Sequence, residues 1–474
     1  MSFNPVRRLS ADLLAERRAE VPFPPGETWF SLRRTHGFAT RPLELLLDAY
    51  ERFGPVFTMR VFHGNNVFMI GPEANHHMTV SHASNFSWRD GHMGDLTPLL
   101  GDGLLTTDGD FHRRSRRIML PAFHHDAIAA ALATMNAEIE RALSDWRDGQ
   151  QIDVYHRTRR LALRIAMRAL FGFDPDAAGA RADIARCFEV GLGFWAHDYW
   201  LQVMRGPGTP FARMQRARRA LDRIVFDEIG RRRSEGRRGR DVLSLLLDAT
   251  DEQGDRLTDQ QVRDQVMTLL FAGHDTTTST IGFMFYELAR HPEIAAALRD
   301  EVEAELGAEP PQPEQLMSGR LALLEMVQDE TLRMYPPAWI GARKAIDSYE
   351  FAGHTVPGGA YVAYSSWVSH HLPDVFPEPR RFRPDRFAPA DKAALPKGAY
   401  VPFGGGSRIC IGMRFGQLEV KAIAVALIRR FEFALAPGYR LRIRQMPTIG
   451  PRDGVPLIIR RRTPAASGSP RLAA

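Results

Sequence analysis

Apolar positions recur every three to four residues through most of the middle of the chain, and in short alternating runs in one early and one late region. The first spacing predicts helices and the second strands. A helix over Pro42 to Phe53 meets Gly54-Pro55, and two β-rich runs from Val56 to Ile70, split by His63-Gly-Asn-Asn66, read as a hairpin. From Asp126 to Gly230 the pattern is nearly all helical, broken at Gly172–Asp176 and at Arg205–Pro210. Arg231 to Arg240 reads as a basic surface turn. Thr258-Asp-Gln-Gln261 is a capping box, and the helix it opens stays periodic to about Arg290, before Pro292. That length is unusual in a globular protein and predicts a helix crossing the whole molecule. A helix from Ala322 to Met334 stops at Tyr335-Pro-Pro337. Short β runs fill Ile340 to Val368, a last helix spans Gly412 to Arg430, and strands continue to about Ile459.

The fold class expected is mainly α with a small β-sheet region (α+β), one sheet gathering the early and late strands. No repeat of 20–50 residues is visible, which argues against a solenoid or propeller. Length alone allows about three domains, but no linker divides the chain. The expected division is a lead-in over residues 1–25, one large domain over 26–462, and a Pro/Ser/Ala-rich, disordered tail over 463–474.

Composition narrows the class. With 44% hydrophobic and 25% charged residues the chain can bury a large core, which excludes disordered and collagenous proteins. Two cysteines, Cys187 and Cys410, allow at most one disulfide and no Cys-rich zinc or iron–sulfur site. A reducing compartment is expected. Cys187 lies in an apolar helical stretch and reads as packing. Basic residues number 62 against 56 acidic, four of the 62 being lysines, and acidic residues interrupt the basic runs. No nucleic-acid partner is expected. Met1 to Glu20 is too charged for a signal peptide, and no apolar run is long enough for a membrane span. A soluble, cytoplasmic protein is expected.

The chemistry concentrates at Pro402-Phe-Gly-Gly-Gly-Ser-Arg-Ile-Cys-Ile-Gly412. Three consecutive glycines free backbone N–H groups to point at something. A phosphate loop fails because the glycines lead into no Gly-Lys-Ser/Thr. They lead instead to a thiol, Cys410, at the start of a helix beside Arg408, where dipole and charge favour a thiolate. Taken alone, the same cysteine could be packing in a tight turn.

The full spacing decides between them. Phe403, Gly406, Arg408, Cys410 and Gly412 match F-x-x-G-x-R-x-C-x-G at every named position, and the segment resembles the haem-binding loop of the cytochrome P450 family. The resemblance implies haem b (iron protoporphyrin IX), with Cys410 its axial thiolate, which favours O–O cleavage, and Phe403 packed against the ring. Within the long helix, Ala272-Gly-His-Asp-Thr-Thr-Thr-Ser-Thr280 carries a glycine and several threonines that cost helix propensity. It is similar to the family's A/G-G-x-D/E-T oxygen-binding motif. The likeness gives Ala272 and Gly273 the groove for dioxygen at a kinked turn, and Asp275 and Thr276 proton delivery; His274 holds the variable position. Glu330, Arg333 and Arg386 are similar to the family's buried Glu–Arg–Arg network, a structural role. His112 and Arg116, four apart on a helix, resemble its W-x-x-x-R pattern with His for Trp; with Arg408, and with Arg343, they are implied to hold the haem propionates.

The resemblance implies a haem-thiolate monooxygenase that hydroxylates or epoxidises an apolar small molecule, such as a lipid, fatty acid, steroid or terpenoid, with O₂. Electrons from NAD(P)H would come through a separate ferredoxin or flavodoxin and its reductase, and a monomer is expected. Arg113, Arg114, Arg117 and Arg414 suit a docking face for that acidic partner or a plain solvated surface. Trp88 to Leu105, Phe194 to Pro210 and Ala338 to Gly341 are expected to line the pocket, with Phe194, Trp195, Tyr199 and Trp200 making it aromatic. A peroxide-driven peroxygenase would not need Asp275 with Thr276, and a non-catalytic haem sensor would not need the oxygen-activating helix.

Overall fold

A capping box sets the start of the element around which the rest is arranged. Thr258 Oγ1 accepts from the Gln261 amide at 3.2 Å, and the Gln261 side-chain oxygen accepts from the Thr258 amide at 2.9 Å. The helix then runs unbroken from Asp259 to Arg290 and stops before Pro292. Its 32 residues extend about 48 Å. Val262, Val266, Leu270, Ile281, Phe285 and Leu288 are all buried along it, as befits a helix surrounded by others. Packed on it are the helices Val154–Ile165, Ala322–Met334 and Met413–Arg430. The computed structural model describes residues 5–61, 64–174, 176, 184–197, 201–202, 204–236, 241–250, 254, 256–307, 309–445 and 448–462.

The early strands and those of 341–364 meet in one sheet, whereas the last strands of the chain form another. The first sheet has six strands in the spatial order 26–27, 56–61, 64–69, 361–364, 341–345, 86–87. The hairpin strands Val56–Val61 and Gly64–Met69 pair antiparallel, with Phe57 opposite Phe68. The second of them lies parallel to Tyr361–Tyr364, Val67 opposite Val362. A second sheet joins Phe431–Leu435, Pro456–Arg461 and a short strand Gln151–Asp153. That short strand interrupts the stretch expected to be all helical, because Ile152 is buried opposite Leu457. The architecture is mainly α with small sheets.

One expected turn is helix instead. The helix Pro210–Glu235 continues through Arg231 and ends on Gly236, whose φ of 60° suits a left-handed cap. Its arginines are paired rather than solvated. Arg231 bonds Glu228 at 2.6 Å and Glu235 at 2.7 Å, while Arg232 is buried between Glu228 (2.9 Å) and Asp241 (2.7 Å). The rest of that expected turn, residues 237–240, lies outside the described residues, as do the hairpin's His63 and the tail 463–474.

Candidate active site

The cysteine loop is built on close backbone approach. Gly406 has φ 59° and Gly404 φ 70°, values that favour glycine. A Cβ on Gly406 would fall 2.2 Å from the Thr79 carbonyl oxygen, and one on Gly405 would fall 2.8 Å from Thr79 Oγ1. Glycine is therefore required at 405 and 406 for the loop to lie against Thr79-Val80. Of the three glycine amides, the one at Gly404 is engaged and donates to the Val401 carbonyl at 3.1 Å. The loop closes where the Cys410 amide donates to the Phe403 carbonyl at 3.0 Å. The Gly412 amide donates to the Cys410 sulfur.

Cys410 is deep in the chain but accessible, and it opens onto an internal cavity. Burial pushes its thiol up, while the Gly412 amide and Arg116 act in the opposite direction without outweighing it.

The cavity has a volume of about 1410 Å³, above the roughly 300–1,000 Å³ of ordinary ligand pockets. It has room for a large planar group and a second molecule. Cys410, Phe403 and Gly412 line it from the loop, and Ala272, Gly273 and Thr276 from the long helix. A Cβ on Gly273 would meet nothing within 4 Å, so the space over this residue is open. Thr276 Oγ1 donates to the Ala272 carbonyl at 2.8 Å, within a helix that continues through this turn.

Four of the cationic or ionisable groups that line the same cavity are His112, Arg116, Arg343 and Arg408. Arg408 donates to Asp108 Oδ1 at 2.7 Å and to the Thr107 carbonyl at 2.9 Å. The Arg343 guanidinium lies 3.3 Å from the centre of the Trp88 ring and donates to the Ala342 carbonyl at 2.8 Å. Burial lowers Arg408 to about 10 against the pull of Asp108, and it lowers Arg343 to about 10 as well. His112 falls to about 4 through burial and the charges of Arg408 and Arg116, so it is neutral. Arg116 is lowered by burial, with Cys410 acting against this. Among the described residues Asp108 is the carboxylate that pairs with Arg408 in this cluster.

Asp275 is the departure from expectation. It is buried but does not line the cavity. Arg444 lies 3.3 Å and Arg159 3.4 Å from its carboxylate, and the Thr448 hydroxyl donates to it. Burial raises its pKa, but Arg444, Arg159, His274 and Thr448 together hold it below the ordinary carboxylate range. Arg444 and Thr448 themselves line the cavity, so Asp275 stands one side chain behind the wall. Sequence placed it one residue from Thr276; helical geometry turns successive residues about 100° apart and sends it to another face.

Among the described residues no three His, Cys, Asp or Glu side chains converge as a metal site. Cys410 is a single soft donor in a cavity ringed by guanidiniums. That set suits a metal whose other ligands come from a large anionic macrocycle, and the residues present fit haem.

Comparison with known proteins decides the family. The family model described as Cytochrome P450 matches residues 23–450. The chain belongs to the cytochrome P450 family. Cyclooctatin synthase of Streptomyces melanosporofaciens is 37% identical over 369 residues, 76% of this chain and 79% of that protein. Cyclooctat-9-en-7-ol 5-monooxygenase of the same organism is 36% identical over 348 residues, 72% of this chain and 75% of that one. Pentalenene oxygenase of Streptomyces avermitilis is 32% identical over 369 residues, 77% of this chain and 81% of that protein. Among solved structures, retinoic acid-bound cyanobacterial CYP120A1 superposes with a TM-score of 0.83 at 28% identity, covering 94% of this chain and 100% of that one. The haem domain of cytochrome P450DA gives 0.83 at 26% identity, covering 94% and 98%. This chain is a P450 monooxygenase.

In this P450 the cysteine loop is braced by a buried ion network. Glu330 is fully buried and accepts from Arg333 Nε at 2.7 Å, Arg333 Nη2 at 2.9 Å, Arg386 Nε at 3.1 Å and the Arg383 amide at 2.9 Å. Arg333 Nη1 donates to the His370 carbonyl at 2.9 Å, and the Val401 amide donates to His370 Nε2 at 3.0 Å. That bond leaves the ring proton on Nδ1, which faces the Arg333 carbonyl at 3.2 Å. His370 thus ties the Arg333 helix to the start of the cysteine loop. No local pattern separated it from His371, and sequence reasoning missed it.

The expected lining is largely in place. Trp88, Met93, Leu105, Phe194, Trp195 and Ile340 face the cavity, while Tyr199 and Trp200 lie outside the described residues. Sequence reasoning missed Phe30, Leu32 and Phe38 near the N-terminus, and Ile443, Arg444 and Thr448 near the C-terminus, which line it too. These are brought in only by tertiary packing.

Proposed function

We propose that this P450 holds haem b through Cys410 and hydroxylates or epoxidises an apolar cyclic small molecule of the terpenoid kind. The observation that carries the proposal is that Cys410, Ala272, Gly273, Thr276 and the guanidiniums of Arg116, Arg343 and Arg408 open onto one cavity. When bound, the haem supplies the redox chemistry that activates dioxygen against an unactivated C–H or C=C bond.

The chain's own residues do the rest. Cys410 binds as thiolate, its deprotonation favoured by a bound cation and by the Gly412 amide. Arg116, Arg343 and Arg408, with His112 as a neutral donor, take the propionates. Ala272 and Gly273 leave open space above the helix. Thr276 holds a proton at Oγ1 beside that space, and the ionised Asp275 reaches the cavity through the Thr448 hydroxyl. Phe194, Trp195 and Phe38 exclude water from the substrate's apolar body. The terpenoid class rests on this apolar lining and on relatives named for cyclooctatin and pentalenene oxidation.

Among the described residues no single helix is long and apolar enough to cross a membrane. Arg113, Arg117 and Arg414 are exposed, and Arg414 lines a smaller cavity together with Cys410 and Arg116. They suit docking of a separate acidic electron carrier.

The test is a titration of the purified holoprotein with cyclic terpenes, fatty acids and steroids, read as the substrate-induced change in the haem spectrum. Tightest saturable change with a cyclic terpene supports the class; saturation only by a fatty acid or steroid overturns it. Product formed from hydrogen peroxide as fast as from reductant and O₂ would replace the monooxygenase with a peroxygenase.

A further inference from the structure

We propose that Asp108 is a positioning residue of this site. From behind the cavity wall, one carboxylate places two of the guanidiniums assigned to the propionates and fixes the start of the loop that walls the substrate space. The proposal rests on the haem reading above. Asp108 stands directly before the helix Gly109–Met119 and does not itself line the cavity. Its Oδ1 accepts from Arg408 Nη2 at 2.7 Å. Its Oδ2 accepts from the amides of Trp88 and Arg89, each at 3.0 Å, and from Ser87 Oγ at 2.8 Å. Burial acts to raise its pKa, yet the Arg89 amide, the Ser87 hydroxyl, the Trp88 amide and Arg408 together hold it below the ordinary carboxylate range. It is charged at neutral pH.

The residue whose amide Asp108 holds carries a shared ring. The Arg343 guanidinium lies 3.3 Å and the Arg408 guanidinium 5.1 Å from the centre of the Trp88 indole. Trp88, Arg343 and Arg408 all line the cavity. Two cations on one ring repel each other. Burial lowers Arg343 most, the Arg408 charge adds to this, and the Asp108 charge pulls the other way. The backbone is fitted as closely. Ser87 pairs with Lys344, next to Arg343, and a Cβ on Gly91 would fall 2.7 Å from Arg343 Cα. At the far end of the same loop, Arg408 Nη1 donates to the Leu104 carbonyl at 3.3 Å and to the Thr107 carbonyl at 2.9 Å. The Asp108–Arg408 pair thus clasps the wall from Trp88 to Leu104 at both ends.

Asp108→Asn keeps the shape and removes the charge. Whichever way the new amide turns, its NH₂ faces either Arg408 Nη2 or the amides of Trp88 and Arg89, donor against donor. Arg408 is left without its counter-charge, and the added positive field beside the cavity favours the reduced state of a redox centre held there.

The test compares holoprotein of the parent, Asp108→Asn and Trp88→Leu by three readouts. These are the reduction potential, the rate of haem loss to excess apomyoglobin, and hydrogen exchange at the amides of residues 88 and 89. Asp108→Asn should shift the potential positive, exchange both amides faster, and lose haem about tenfold faster or more, as the loss of a charge-assisted hydrogen bond gives. Trp88→Leu removes the shared ring but leaves the Asp108 bonds in place, so it should lose haem faster while residue 89 exchanges as in the parent. A merely structural brace would quicken exchange and leave the potential unmoved. An unmoved potential or parental amide exchange in Asp108→Asn, or parental haem loss in either variant, would each overturn the proposal. Absence of the thiolate spectrum in the parent would instead sink the haem reading, while exchange at residues 88 and 89 still reports the Asp108 clasp.

Discussion

Glu330→Gln isolates the electrostatic part of the brace behind the cysteine loop. The side chain is isosteric and fully buried, so packing stays nearly constant. If the amide oxygen takes the place of Oε1, it keeps the donors Arg333 Nη2, Arg386 Nε and the Arg383 amide. The new NH₂ then faces Arg333 Nε across 2.7 Å, donor against donor. Two guanidiniums, one of them 0% exposed, lose their counter-charge. Breaking a buried pair in this way costs about 3–5 kcal/mol, against roughly 0–1 kcal/mol for an exposed pair. The assay is denaturant unfolding, read as a lowered midpoint at constant slope. Hydrogen exchange at the Val401 amide should quicken as well, because Arg333 positions the His370 that receives it. A loss under about 1 kcal/mol with unchanged Val401 exchange would refute the reasoning.

Gly406→Ala forces a Cβ to 2.2 Å from the Thr79 carbonyl at a φ of 59°, so haem retention after dialysis should drop sharply while Gly438→Ala, with open space around it, keeps it. Gly273→Ala adds its methyl to open space in mid-helix; thermal stability should hold or rise by about 1 kcal/mol, yet cyanide and substrate affinity should weaken as the cavity narrows. A carboxyl whose native pKa lies below its unfolded one stabilises the fold above the unfolded value and gives that up as pH falls through the native value. Arg444→Leu removes the largest favourable charge on Asp275, so acid loss of thermal stability should begin at higher pH than in the parent protein.

Much of this was legible in the chain because its signals are local. The Thr258 capping box and Pro292 bound the long helix within one residue, and the hairpin at Val56 is readable from alternation beside Gly54-Pro55. The cysteine loop was readable because close packing demands glycine at fixed positions. The features that escaped depend on contacts distant in sequence. Ile152 becomes a strand residue only when Leu457 lies opposite it. The arginines after Glu228 looked like a loop because their partners, Glu235 and Asp241, are visible as pairs only once the helix is formed. Asp275 was read with Thr276 from the family motif, whereas Arg159 and Arg444, more than a hundred residues away on either side, pair with its carboxylate in the fold. His370 carries no local signal, and only its bonds with Arg333 and Val401 in the fold reveal it.

Ligation by Cys410 is tested most directly by the absorption spectrum of the reduced, carbon monoxide-bound protein, taken beside that of Cys410→Ser. The parent should show the Soret band of a thiolate-ligated haem, and Cys410→Ser should lose it while remaining folded. A histidine-type band in the parent, no haem at all, or a thiolate band that persists in Cys410→Ser would contradict it.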